Sequence, residues 1–256
     1  MRALMLSRWS SRGLSLALAC AAAPPLLQSG ERDLLTIALT IVVFALCGAA
    51  HEAAHAWVAW RCGDSTAKDL GRLTLNPIPH IDLFMTVLLP AMLMYTTGMM
   101  FGGAKPVPVN FHRLRRPWRD MSFVAMAGPF SNLLLATFFL LAYRFFVTTG
   151  LYHQAGASIG ERQDDLLPQV LVFAVRFNVL LAVFNLVPIP PLDGSRVMAW
   201  LLPESLRPPY LSLERFGILI VFGLIFLVPT FGVLLNRSVS AVIETLGRLV
   251  FAGAAI

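Results

Sequence analysis

Residues 34–60 read LLTIALTIVVFALCGAAHEAAHAWVAW, an apolar run interrupted by one acid, Glu52, and two histidines, His51 and His55. At 1.5 Å per residue such a run is long enough, as a helix, to cross a hydrocarbon core of about 30 Å. Residues four apart share a helix face about 6 Å apart along the axis, so both imidazoles can reach one metal ion. Glu52 stands one step round, within reach of a water at that ion. An HExxH helix is the pattern of a zinc hydrolase whose glutamate serves as general base. The pattern is short enough to arise by chance in a soluble helix. In a membrane span an ionisable residue costs roughly 2.5 to 3.5 kcal/mol on insertion scales, so its presence there points to function.

Composition agrees with a membrane setting. The chain is 57% hydrophobic and 13% charged, with mean hydropathy +0.72, whereas soluble domains carry about a quarter charged residues. Apolar stretches at 34–60, 82–101, 121–148, 166–190 and 215–235 are candidate spans. A sixth, 239–254, is short and holds Glu244 and Arg248, which suits an interfacial helix. The expected fold is therefore an all-α polytopic membrane protein of about five to six transmembrane helices. The intervening stretches are too short for an inserted soluble domain, so residues 31–256 read as a single membrane-embedded domain. Residues 1–30 carry Arg2, Arg8 and Arg12, an apolar run from Leu14 to Ala23 and then Pro24-Pro25. That pattern fits a signal peptide or an N-terminal anchor, with a transit peptide as a further alternative.

Basic residues orient the chain. Arg113, Arg115, Arg116 and Arg119 crowd one short loop, Arg61, Lys68 and Arg72 follow the histidine helix, and Arg196, Arg207 and Arg215 follow the fourth stretch. All three groups are expected on the cytoplasmic side. The segment 149–165, with Glu161, Asp164 and Asp165, suits the outside. These assignments conflict across 82–101, which must either be re-entrant around Pro90 or have one flanking loop that breaks the rule. The net charge of +6 is accounted for by loops facing anionic headgroups, with no need for nucleic acid. Three cysteines without a C-x-x-C spacing indicate neither a disulfide framework nor a cysteine zinc site. Cys47, one turn before His51, is expected to pack.

A catalytic zinc takes three protein ligands and keeps one position open, so a third ligand must come from another segment. Asp193 is the candidate. It ends the segment Asn185-Leu-Val-Pro-Ile-Pro-Pro-Leu-Asp-Gly194, where three prolines stop the preceding helix. Irregular backbone within a membrane is tolerated only where protein or a polar cavity surrounds it. The competing reading is that Asp193 merely caps the helix starting at Gly194. Gly48, Ala49, Ala50, Ala53, Ala54 and Ala56 around the histidines would let another helix approach closely.

With HEAAH and Asn185–Gly194 in place, the chain resembles the site-2 protease family of intramembrane zinc metalloproteases, in particular compact bacterial members without a PDZ or CBS domain. The second element matches the family's N-x-x-P-x-P-x-L-D-G. Gly71–Asp82 (GRLTLNPIPHID), Gly102–Asn110 (GGAKPVPVN) and Gly128–Asn132 (GPFSN) extend the resemblance, which covers about residues 34–235. It implies one zinc ion held by His51, His55 and Asp193, with Glu52 as catalytic acid/base. It also implies a multi-pass protein of a bacterial cell membrane acting on transmembrane proteins.

Further expectations concern the surroundings. If the histidine helix meets the cytoplasmic interface near Arg61, six residues beyond His55, then His55 lies about 9 Å inside and the metal nearer that face. Asn76, His80 and Asp82 are possible lining for a water path, His80 fitting better as a hydrogen-bonded turn residue. Gly102–Asn110 resembles the family's membrane-associated β-hairpin, with prolines suited only to a sheet edge. Lys105, Asn110 and Asn185 are the candidates for holding substrate backbone. Asn132, after Gly128-Pro129, is expected at a kink with an interhelical hydrogen bond. Arg176 lies within a span and is expected to snorkel, with Asn178 nearby. A membrane transporter or metal-holding scaffold is the rival function, and Glu52 discriminates against it, since such a site has no need of a carboxylate beside the ligands.

Overall fold

The structure, a computed structural model, describes residues 34–97, 102–149 and 166–252. Residues 1–30 and the acidic segment 150–165 lie outside the described residues, as do the expectations that fall on them.

Among the described residues, seven helices of eight residues or more organise the chain: α1 Leu34–Arg61, α2 Leu89–Thr97, α3 Pro117–Thr148, α4 Leu166–Asn185, α5 Gly194–Leu201, α6 Gly217–Leu227 and α7 Pro229–Phe251. Helix α3 is the hub. It packs most extensively on α4 and α1, and also on α5, while α7 lies against α4 and α3. One core layer joins Ala136 of α3 to Val175 and Val179 of α4 and to Val239 and Ile243 of α7. A second joins Phe44 and Cys47 of α1 to Phe173 and Phe177 of α4.

The opposite face of α3 is apolar as well. Phe123, Phe130, Leu134, Phe138, Leu141 and Phe145 are exposed at helical spacing, a continuous stripe that in water would be an aggregation surface and in a bilayer meets lipid.

Three helices are long and apolar enough to cross a membrane, within Ala38–Arg61, Pro117–Thr148 and Leu167–Asn185. The expected five to six are not all found among the described residues, and two stretches depart from a straight span. The stretch 82–101 begins as a π-helical turn, Leu83–Leu88, whose first amides are capped by Asp82. It continues as α2 to Thr97, the last described residue before 102, and at about 1.5 Å per residue the described part spans less than 30 Å. The stretch 215–235 is cut at Val228 (φ −118°, ψ 83°), because Pro229 removes the next helical donor and drives the residue before it out of the α region. Residues 229–251 then form one amphipathic helix that buries Leu235, Val239, Ile243 and Val250. The bent pair Glu204–Phe216 and Leu219–Leu227 would make a fourth span if it crosses as one unit.

The β-hairpin near 102–110 is also corrected, since no strand is found among the described residues. Gly102–Asn110 is extended, but its amides find other partners. Gly103 donates to the Met85 carbonyl at 3.0 Å and Lys105 to the His80 carbonyl at 2.8 Å. Val107 donates to Glu52 and Asn110 to Asp64. Pro106 and Pro108 have no amide to give, so a two-stranded ladder would lose two successive donors on that edge.

Candidate metal centre

Helix α1 brings His51 and His55 to one buried face, each 7% exposed. Their Nδ1 atoms have separate partners, Asn132 Oδ1 for His51 at 2.5 Å and the Val124 carbonyl for His55 at 2.6 Å. Both partners are acceptors, so each ring carries its proton on Nδ1 and presents a bare Nε2 lone pair inward. Room for the rings comes from Gly128 of α3, where an added Cβ would lie 2.5 Å from atoms of both imidazoles.

Asp193 arrives from the Pro-rich loop. It does not cap α5: it stands at the N-cap position with no side-chain capping bond. Gly194 is crowded against the Leu186 and Val187 carbonyls, leaving no space for a side chain, and the Tyr210 hydroxyl donates to the Pro188 carbonyl at 2.9 Å. The loop is therefore held at both ends. Its carboxylate faces both imidazoles. It meets the histidines as an anion.

Three acceptor atoms now converge. His51 Nε2 and His55 Nε2 are 3.0 Å apart, and Asp193 Oδ2 lies 3.2 Å and 3.4 Å from them. A tetrahedral zinc with bonds of about 2.0 to 2.1 Å sets ligand atoms about 3.3 Å apart, so the triangle has the size of one face of such a site. Buried Asp193 Oδ2 has no hydrogen-bond partner, as expected when both facing nitrogens are acceptors too. Lone pairs gathered without a donor repel unless a cation lies among them, and these residues fit zinc.

Glu52 stands beside this triangle, half-buried, and its Oε2 accepts from the Val107 amide at 2.7 Å.

Comparison with known proteins agrees with this chemistry. Residues 151–228 match the sequence profile of Peptidase family M50. Two relatives each named a "Putative zinc metalloprotease" align with most of the chain. Bacillus subtilis YwhC is 41% identical over 181 residues, which is 70% of this chain and 75% of that protein. Mycolicibacterium smegmatis Rip2 is 30% identical over 175 residues, 68% of this chain and 61% of that one. The chain belongs to peptidase family M50. No solved structure matches it. As an M50 protein it is an intramembrane zinc metalloprotease, and zinc is its metal.

The M50 residues expected from sequence fall in different places. His51, His55 and Asp193 meet, and Glu52 adjoins them. Cys47 is buried among Phe44, Phe173 and Phe177 rather than facing the triangle. Asn132 makes its interhelical bond, but to His51, which brings it into the centre's support; α3 continues helical through Pro129. Asn185 turns its amide back to the Leu181 carbonyl at 3.0 Å. Lys105 is exposed, with its carbonyl held by Arg72. Asn110 uses its side chain to cap the turn at His112. Asn76, His80 and Asp82 serve their own loop: Asn76 accepts from the Ile78 amide, His80 Nε2 pairs with the Thr74 carbonyl, and Asp82 caps the π-turn.

Asp64 escaped the sequence reading. Gly63 turns out of α1 at φ 113°, a conformation suited to glycine. It directs a fully buried Asp64 onto the Asn110 amide at 2.6 Å and the Thr66 amide at 3.0 Å. The Gly63-Asp64 pair was the available signal. This carboxylate ties the end of the extended segment to the end of α1, so the Glu52 contact at Val107 is set from both sides.

Proposed function

We propose that His51, His55 and Asp193 hold the zinc of this protease and that Glu52 is its general base and acid, acting on peptide bonds within or near transmembrane segments. The observation that carries the assignment is the triangle of two imidazole nitrogens and one carboxylate oxygen inside the helix bundle, with both Nδ1 atoms already facing acceptor oxygens. Bound zinc supplies Lewis acidity at the scissile carbonyl and acidifies water toward a pKa of about 7. Glu52 takes a proton from the attacking water as the new C–O bond forms. It returns that proton to the amine nitrogen as the C–N bond breaks. Val107 holds only Oε2 of Glu52, so Oε1 is free to face the water.

A substrate helix shields its peptide bonds and must unwind first. The extended segment 102–110 lies against Glu52, and Lys105, Asn110 and Asn185 are the residues we assign to the unwound backbone. A multi-pass arrangement with the centre nearer the cytoplasmic face of a bacterial cell membrane is supported by the end of α1. There Trp57 and Trp60 are exposed, and the Arg61 guanidinium lies 5.1 Å and 5.6 Å from their ring centroids. Aromatic rings with adjoining basic side chains mark an interface.

Purified protein in lipid nanodiscs, given a model transmembrane peptide, tests the assignment. Glu52→Gln is expected to keep zinc and lose cleavage; equal cleavage by variant and parent would remove Glu52 from the chemistry.

A further inference from the structure

Asn178 lies in the middle of α4 and touches neither histidine, yet the hydrogen bonds that begin at it run in one direction toward His51. Its Nδ2 donates to the Ala174 carbonyl at 2.8 Å and to Cys47 Sγ at 3.1 Å. Its Oδ1 is thereby turned to Asn132, whose Nδ2 donates to it at 2.8 Å. The Oδ1 of Asn132 is left to face His51 Nδ1 at 2.5 Å.

A primary amide has a donor end and an acceptor end, and a carbonyl can face only the donor. The Ala174 carbonyl therefore decides how Asn178 lies, Asn178 decides how Asn132 lies, and Asn132 decides which nitrogen of His51 carries the proton. Asn132 and Asn178 are 0% exposed, Ala174 1% and Cys47 2%, so no solvent competes for either end. With Asn132 reversed, its NH2 would meet His51 Nδ1 and the ring proton would move to Nε2. That proton would point at His55 Nε2 and Asp193 Oδ2, where a ligand needs its lone pair. His55 needs no such chain, since a backbone carbonyl, Val124, holds it directly.

We propose that Asn178 is a positioning residue for the metal centre, fixing His51 as the Nδ1–H tautomer by orienting the Asn132 amide. This rests on His51 being a zinc ligand.

The test uses the full chain in nanodiscs and two readouts, zinc affinity by competition with a chromophoric chelator and the ¹⁵N spectrum of its histidines without metal. Asn178→Leu is close in volume and removes the amide. It is expected to weaken zinc binding roughly ten- to a hundredfold, the usual effect of losing a partner behind a ligand. It should also bring up an Nε2–H signal from His51 while the His55 signals stay. Asn132→Asp supplies an acceptor oxygen whichever way it lies, so in that background Asn178→Leu is expected to leave zinc affinity where Asn132→Asp alone puts it. Equal losses in both backgrounds, or a His51 that stays Nδ1–H in Asn178→Leu, would overturn the proposal and reduce Asn178 to helix packing. A parent protein that binds no zinc would instead overturn the ligand assignment. Should Asn178→Leu fail to fold, Asn178→Ser, whose hydroxyl can point either way, carries the same readouts.

Discussion

The α1 half of the metal centre and its loop half differ in how their polar atoms are satisfied. Both imidazole Nδ1 atoms have buried partners on α3, whereas Asp193 Oδ2 has none and Glu52 accepts from the amide of an extended segment. One half is organised before any ion arrives. The other keeps an unbalanced anion whose desolvation only a cation relieves. Such a division suits a hydrolase, because the α1 helix fixes the histidine geometry and carries Glu52, while the chain outside the helices supplies the charge of Asp193 and the amide that holds Glu52.

Breaking the helical half should have the largest effect. His55→Ala is expected to lose both zinc and cleavage, with metal content by atomic absorption as the check. Retention of stoichiometric zinc would show that α1 is not the primary anchor. Glu52→Gln should follow, with cleavage down roughly 10²- to 10⁴-fold, the usual range for a positioned acid–base group, and zinc retained.

Asp193→Asn tests the loop half in a different currency. Zinc binding should weaken strongly, while the Tm of the metal-free protein should hold or rise, because an anion buried without a donor is replaced by a neutral amide. A lower metal-free Tm would mean that the carboxylate has a structural partner after all. Gly128→Ala returns to the α1 half by pushing a methyl group from α3 into both rings. Overpacking of this kind costs about 1 to 3 kcal/mol, read as a lower unfolding temperature together with reduced zinc occupancy.

The smallest effect is expected from the contact that joins the halves. Val107→Pro removes the amide that holds Glu52 and suits the extended backbone between Pro106 and Pro108, while Val107→Ala keeps the amide. Turnover should fall about tenfold in the first and little in the second, as for the loss of one charge-assisted hydrogen bond, with zinc content equal. Equal turnover in the two variants would show that Glu52 does not depend on that amide.

The meeting of His51, His55 and Asp193 and the Pro-rich loop were legible in the sequence because intramembrane histidines and carboxylates are costly and few. The supporting atoms were not. Val124 offers a backbone carbonyl, which any residue has, and Gly128 offers an absent side chain whose value depends on what stands opposite. Asn132 was visible as an interhelical donor but not as the partner of His51, since 81 positions separate them and only the packing of α3 on α1 closes that distance. Span number was less legible for a related reason. Hydropathy reports that a segment avoids water and not that it runs as one straight helix, as the π-helical opening at Leu83–Leu88 and the break at Val228 show. The hairpin was overread because extended backbone and strand look alike until the partners of each amide are known.

Pro106 and Pro108 fall on alternate positions of the extended segment, opposite in direction to the amides of Lys105 and Val107 that face the protein. At Pro106 and Pro108 the outward edge therefore offers carbonyls and no amide. Two copies of this protein meeting edge to edge there would set acceptor against acceptor, which disfavours pairing with its own kind, a protection exposed edges otherwise need charge or a bulge to obtain. A foreign extended chain with free amides meets no such obstacle. The same two rings that disfavour self-association leave one polarity of visitor admissible.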